Sequence, residues 1–358
     1  MERISGLQTV FIGALYLLTV GIKQSPILMF ETAKQDAWIS LIVAFFVMIL
    51  SVWLFTRILA RFPNNNLLEI LRMNSPIIGR IIILIYLFFF ILVIAHDIRF
   101  LIDLITVIFL PTTPLNIIGM FTLLLAVLMA REGIEVLARL AQLFFIPFTV
   151  ILLLLPLFLL DQIDFNNMQP VLEDGYGIFQ GSIYALGTLG ELVILPLICT
   201  AQSFRFRYGM YGLVVGTFLI GIMLVHILLV FGASLATVFF DPAYILVRQI
   251  RVTDFLDRMD IIIAALWLPT IFVKIAFTLF VICKGIQNLS NKISGKLLVP
   301  PMGVFSFVCS VWFFEHATQL IHFDRVKPVF IIITTFVLPI FLYFYLKESK
   351  QNITFKSM

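Results

Sequence analysis

A chain of 358 residues that is 61% hydrophobic and 12% charged falls outside the soluble globular class, where about half the residues are apolar and about a quarter charged. Its net charge of +4 is carried by basic residues in short segments between apolar runs, which is a topology signal and not a nucleic-acid footprint. A phosphate loop, a GxSxG elbow, HExxH and paired cysteines are all missing, so an enzyme, a cofactor or a metal site is not expected.

Taken in order, the apolar runs predict ten membrane-spanning helices, at roughly 5–30, 37–60, 79–110, 114–130, 135–160, 177–202, 210–238, 257–285, 298–316 and 326–347. The first has the basic start of a signal peptide. It runs on to Phe30 without a small-x-small cleavage site, so it reads as a retained helix. Pro63 and the three asparagines after it break the chain behind span two, and Pro111 to Pro114 make a tight turn behind span three. Span three exceeds what a ~30 Å hydrocarbon core needs, so it tilts or projects. The loop 161–176 is acidic, with Asp161, Asp164, Glu173 and Asp174. Cys199, Cys283 and Cys309 all lie in apolar runs, which argues against a disulfide framework. The expectation is one all-α transmembrane domain over 1–358, with repeat one at about 5–160 and repeat two at about 177–347.

Basic residues set the orientation. With the N-terminus inside, 15 of the 24 Lys and Arg fall on the cytoplasmic side and six on the other: Lys34, Arg248, Arg251, Arg258, Arg325 and Lys327. Lys23, Arg99 and Lys274 lie within spans. Both termini are then expected in the cytoplasm.

Spans one and six share a pattern. "TVGIKQSP" (Thr19 to Pro26) and "TLGELVILP" (Thr188 to Pro196) each carry Thr-x-Gly, then a polar residue, then a proline. Glycine costs about 1 kcal/mol and proline about 3 kcal/mol in a helix interior. Membrane helices also use both simply to pack closely. The matched pair, five spans apart, points instead to discontinuous helices in an inverted repeat. Unwinding is expected at Gly187–Gly190, releasing carbonyls near Ala185–Thr188 for an ammonium group, while a half-helix starting near Gly21 offers amide donors to a carboxylate. Thr19, Val20, Gly21, Gly187, Thr188, Gly190 and Glu191 are the candidate ligand-binding residues, with Trp267 from span eight. Glu191 would bind a cation, a ligand amine or a proton, or brace the break through Lys23 or Lys274.

Other in-span polar residues carry less. Arg99 and Asp103 are spaced to pair along a helix face, whereas Asp97 and Arg99 are not. Lys274 lies seven residues after Trp267 on one face and is read as a pairing partner of Glu191 or Asp97, or as a substitute for a bound cation. His226 reads as hydrogen-bonded packing, and His316 and His322 are poorly spaced for ligation.

These stretches, with "REGIEVLARL" (Arg131 to Leu140), "MQPVLEDGYG" (Met168 to Gly177), "FLDRMDIIIAALW" (Phe255 to Trp267) and "HATQL", resemble the B-subunits of spore germinant receptors. These are the endospore germination permeases of the amino acid–polyamine–organocation superfamily. The resemblance implies a LeuT-like fold with a 5+5 inverted repeat. It also implies nutrient sensing at the inner membrane of the spore, in a complex with an A-type membrane subunit and a C-type lipoprotein. Thr19 stands where many relatives have glycine, and Lys23 enters a stretch that is usually apolar. Receptor and cation-coupled amino acid transporter remain as two readings of one pocket.

Overall fold

The computed structural model describes residues 4–21, 25–239, 241–250, 259–290 and 293–346. Its regular structure is helical throughout, with no strand among the described residues. In a hydrocarbon core only a helix or a closed barrel satisfies its own backbone. Span one is α1 (Gly6–Gly21) followed by α2 (Ser25–Ala33), the two helices lying on either side of residues 22–24. A 3-10 turn in which Lys34 has a φ of 48° separates α2 from α3 (Ala37–Ala60). A short helix α4 (Leu67–Asn74) follows, where only a chain break was expected. Asn66 starts it, accepting from the Glu69 N–H while the Glu69 carboxylate accepts from the Asn66 N–H. Next come α5 (Ile78–Leu104), α6 (Leu115–Glu132) and α7 (Ile134–Phe158).

The second half holds α8 (Gly175–Leu189), α9 (Ile194–Ile198), α10 (Phe206–Ala236), the short α11 (Pro242–Arg248) and α12 (Met259–Ser290). It ends with α13 (Gly295–Phe313), α14 (Ala317–Ile332) and α15 (Leu338–Tyr345). Nine helical stretches among the described residues are long and apolar enough to cross a membrane, and α1 adds a shorter apolar helix.

Packing partners repeat when each span is exchanged for the one five places on. Span one packs on span seven (α1 with α10), and span six on span two (α8 with α3). Span three meets span nine (α5 with α13) as span eight meets span four (α12 with α6). Spans one and five meet as spans six and ten do. That exchange symmetry is the 5+5 inverted repeat. Small residues allow the closest of these approaches. A Cβ on Gly216 would sit 2.9 Å from Leu17, and Gly212 faces the Val10 backbone. The acidic loop is tied to the start of α3, where the buried Asp36 carboxylate accepts from the N–H groups of Leu172 and Glu173 at 3.0 and 3.1 Å.

Two expectations change. Span six does not unwind at Gly187–Gly190: α8 stays helical to Leu189 and the Gly190 N–H still reaches the Leu186 carbonyl. The chain instead tightens into a 3-10 turn at Gly190–Val193 before α9. Pro196, inside α9, brings no N–H and so cannot supply the usual bond back to residue 192. Of the carbonyls near Ala185–Thr188, that of Leu186 stays in its helical bond. Second, Lys327 is not in an outer loop. α14 begins at Ala317, nine residues before the expected edge of span ten, and Lys327 is 3% exposed inside the protein.

Candidate functional site

The site is built where four spans converge on Glu191. The two glycines before it explain how this happens. A Cβ on Gly187 would press on the Pro328 ring at 3.0 Å, and one on Gly190 would collide with Ile331. Both neighbours lie on α14, so the bare faces at 187 and 190 let α14 come close enough to bring Lys327 against Glu191. Glycine here serves approach before it serves unwinding.

Glu191 is 1% exposed, and each of its oxygens meets an ammonium group. Lys327 Nζ lies 2.7 Å from Oε1 and Lys274 Nζ 2.8 Å from Oε2. Lys274 is fully buried and also lies 2.8 Å from Asp97 Oδ2. Lys327 Nζ is 3.8 Å from Asp324 Oδ1, His96 Nε2 is 3.5 Å from Asp324 Oδ2, and His96 Nδ1 is 3.4 Å from Asp97 Oδ1. The contacts therefore close on themselves: Asp97, Lys274, Glu191, Lys327, Asp324, His96 and back to Asp97. Spans three, six, eight and ten each contribute. Span one joins through Tyr16, whose ring centroid is 4.8 Å from Lys274 Nζ and whose hydroxyl lies 2.7 Å from Thr278 Oγ1.

Charges at this depth survive only by pairing. A lone lysine or aspartate at mid-membrane costs roughly 2.5–3.5 kcal/mol on the insertion scale. Removing one partner of a buried pair strands the other charge, which costs about 3–5 kcal/mol. The ring thus ties spans three, six, eight and ten together through buried charges.

The remaining sequence candidates divide. Thr19 is buried and its hydroxyl donates to the Leu15 carbonyl at 2.8 Å, within its own helix. Thr188 is fully buried beside Glu191, and its Oγ1 has no hydrogen-bond partner among the described residues. α1 packs against both α8 and the 3-10 turn, with Gly13 facing Leu192 and Leu195. Lys23 lies outside the described residues, as do the side chains of Val20 and Gly21. Arg99 stands apart from the ring, with Nε 2.9 Å from Asp103 and Nη2 donating to the Glu315 carbonyl at 2.8 Å. Trp267 lies about 10 Å from Lys274 along α12. It packs edge-on to Phe100 and lines an apolar cavity of about 20 Å³ with Phe148, Tyr244 and Val247. α11 closes that cavity and is capped by Asp241, which accepts from the Tyr244 N–H at 3.0 Å. Burial pushes the Asp241 carboxyl up to about 7.

Sequence reasoning missed Lys327 and Asp324 because three charges within four residues, Asp324 to Lys327, read as a loop. One signal was present. Gly187 and Gly190 sit three apart on one helix face, which calls for a closely packed neighbour.

A family model described as "Spore germination protein" matches residues 3–318. The chain belongs to the spore germination protein family. A Bacillus subtilis (strain 168) protein described as a spore germination protein, YfkT, is 45% identical over 349 residues and covers 98% of both chains. Spore germination protein A2 of the same strain is 23% identical, covering 99% of this chain and 98% of its own length. Among solved structures, the nucleobase-cation-symport-1 family transporter Mhp1, in a closed conformation with bromovinylhydantoin bound, aligns over 96% of this chain and 81% of its own. The TM-score is 0.67 at 13% identity. A Na+-coupled sialic acid symporter covers 94% and 79% at a TM-score of 0.61 and 12% identity. At such identities the likeness is one of fold. This spore germination permease is an integral membrane protein with a transporter-like architecture.

Proposed function

We propose that this spore germination permease is the nutrient-sensing membrane subunit of a germinant receptor. It binds a small amphoteric germinant such as an amino acid at the Glu191 ring and passes a conformational signal to an A-type membrane subunit and a C-type lipoprotein. The inner membrane of the spore, with both termini in the cytoplasm, is the location that goes with this role. Thr19, Val20, Gly21, Gly187, Thr188, Gly190, Glu191 and Trp267 are the proposed ligand-binding set. The ring is proposed to hold the resting state.

One observation carries the receptor reading: both oxygens of Glu191 are already held by lysine ammonium groups at 2.7 and 2.8 Å. With both oxygens held by lysines that belong to the protein, Glu191 is not open to load and unload a coupling ion. A zwitterionic ligand competes for both partners at once, its carboxylate for a lysine and its amine for Glu191 or Asp97. Binding then loosens spans six, eight and ten together, and differential affinity for the loosened state shifts the population. A cation-coupled amino acid transporter remains the second reading, favoured by the fold shared with symporters.

Ligand-dependent thermal stabilisation of the purified chain, across amino acids, sugars and nucleosides, tests the binding step. Wild type is expected to shift with one chemical class and Glu191→Gln to lose the shift. Spores carrying Glu191→Gln at normal protein level should fail to respond to that nutrient. A full response from them would overturn the reading. Uptake of radiolabelled ligand into proteoliposomes under a sodium or proton gradient separates transport from sensing.

A further inference from the structure

A groove of about 550 Å³ with an apolar lining opens on the outer surface of the helix bundle between α3 and α10, far in sequence from the ion ring. One wall is a single face of α3, with Trp38, Leu41 and Phe45, and the other is a single face of α10, with Phe218, Gly221 and His226. Its rim is lipid-facing in character, since Ile42, Phe46 and Phe218 are exposed apolar side chains. Gly221 forms the floor: a Cβ there would touch only Leu41, at 3.6 Å. Trp38 and His226 line the same groove.

The two ends of the groove differ. Trp38 is the second residue of α3, at the depth where a membrane helix meets the headgroup region. Trp38 Nε1 and His226 Nε2 are buried side-chain atoms with no hydrogen-bond partner among the described residues. His226 as a whole is 5% exposed. From there the groove runs inward past Phe45, about 10 Å along α3, within the roughly 15 Å thickness of one hydrocarbon leaflet. Its chemistry is amphiphilic: hydrogen-bonding nitrogens at the interface end, aromatic and aliphatic walls below.

The geometry points to a bound glycerophospholipid, with an acyl chain in the groove and an ester carbonyl accepting from Trp38 Nε1 and His226. A transmembrane helix fits less well. Such a helix consumes its own carbonyls in internal bonds, so it would need a polar side chain at this one level, whereas every ester phospholipid carries the acceptor there. The site joins α3 to α10, and α3 packs on α8 while α10 packs on α1. A lipid seated there therefore braces the spans that lead to Glu191 from the membrane side.

The test uses the full-length chain purified in mild detergent, stripped of loosely held lipid, and titrated with phosphatidylglycerol under native mass spectrometry. One lipid per chain is expected to bind above the background. The ether-linked analogue, which keeps the tails and headgroup but lacks ester carbonyls, is expected to bind at least about fivefold more weakly. Gly221→Phe fills the floor and should abolish the bound lipid, and Trp38→Phe with His226→Phe should erase the ester preference. Equal binding of ester and ether lipid by wild type would overturn the assignment without any variant. So would equal retention in Gly221→Phe with an unchanged melting temperature, or a polypeptide cross-linked in place of lipid from a probe at Phe218.

Discussion

α8 and α10 are both glycine-bearing helices in the same bundle, and they use glycine for different ends. On α10, Gly212 and Gly216 let α1 lie close, against Val10 and Leu17, and the seam is apolar. On α8 and the turn after it, Gly187 and Gly190 let α14 lie close, and the seam contains Glu191 between two lysines. Close packing alone marks structure. Close packing that delivers a charge to a buried countercharge makes the helix contact depend on ion pairs as well as on shape.

The sharpest way to break this contrast is at the charge. Lys274→Met takes one of its two lysines from Glu191 and the ammonium partner from Asp97, and is expected to cost about 3–5 kcal/mol, read as a large fall in the melting temperature in detergent. Adding Glu191→Gln should recover part of that loss, and a double-mutant cycle reports the coupling. Simple additivity would mean that the two side chains do not depend on one another. Next in size is Gly190→Leu. It drives a side chain into Ile331 and should cost about 1–3 kcal/mol, with loss of ligand-induced stabilisation because α14 is pushed away from Glu191. The matched control on α10, Gly216→Ala, meets the flexible Leu17 side chain and should cost about 1 kcal/mol or less while leaving the ligand response intact. A response lost in Gly216→Ala at normal stability would erase the distinction between the two helices.

The smallest effect on global melting lies away from both seams, at Asp241. Its folded carboxyl is raised from 3.8 to about 7 by burial. A raised folded value means its contribution is fully present below about pH 4, falls as pH rises, and is gone above about pH 7. Hydrogen exchange in α11, corrected for intrinsic rate, should therefore quicken between pH 5 and pH 8. Asp241→Asn, which keeps the cap without the charge, should flatten the change.

Much of the fold was legible because the membrane enforces it. Apolar runs set the spans, and the Thr-x-Gly motif at Thr188 lies just ahead of the 3-10 turn at Gly190–Val193. The site was legible only in part. Glu191, Lys274 and Asp97 stood out as charges inside apolar runs, and the structure brings them together. Lys327 and Asp324 were hidden because hydropathy sums a window and cannot tell inward charges from outward ones. Arg325, between them, does turn outward and pairs with Glu31 at 2.8 Å. The position of the helix break was misplaced for a related reason: glycine signals both freedom and proximity, and only the neighbour at Ile331 distinguishes them.

The ring also constrains how the protein is made. Asp97 and Glu191 belong to spans three and six, whereas the lysines that hold them belong to spans eight and ten. Ribosomes deliver acid before base. Until span eight leaves the translocon, both carboxylates are without a lysine, so the insertion machinery must shelter them or let them enter neutralised by a proton. A chain truncated before span eight should be a substrate for membrane quality control, however apolar it is.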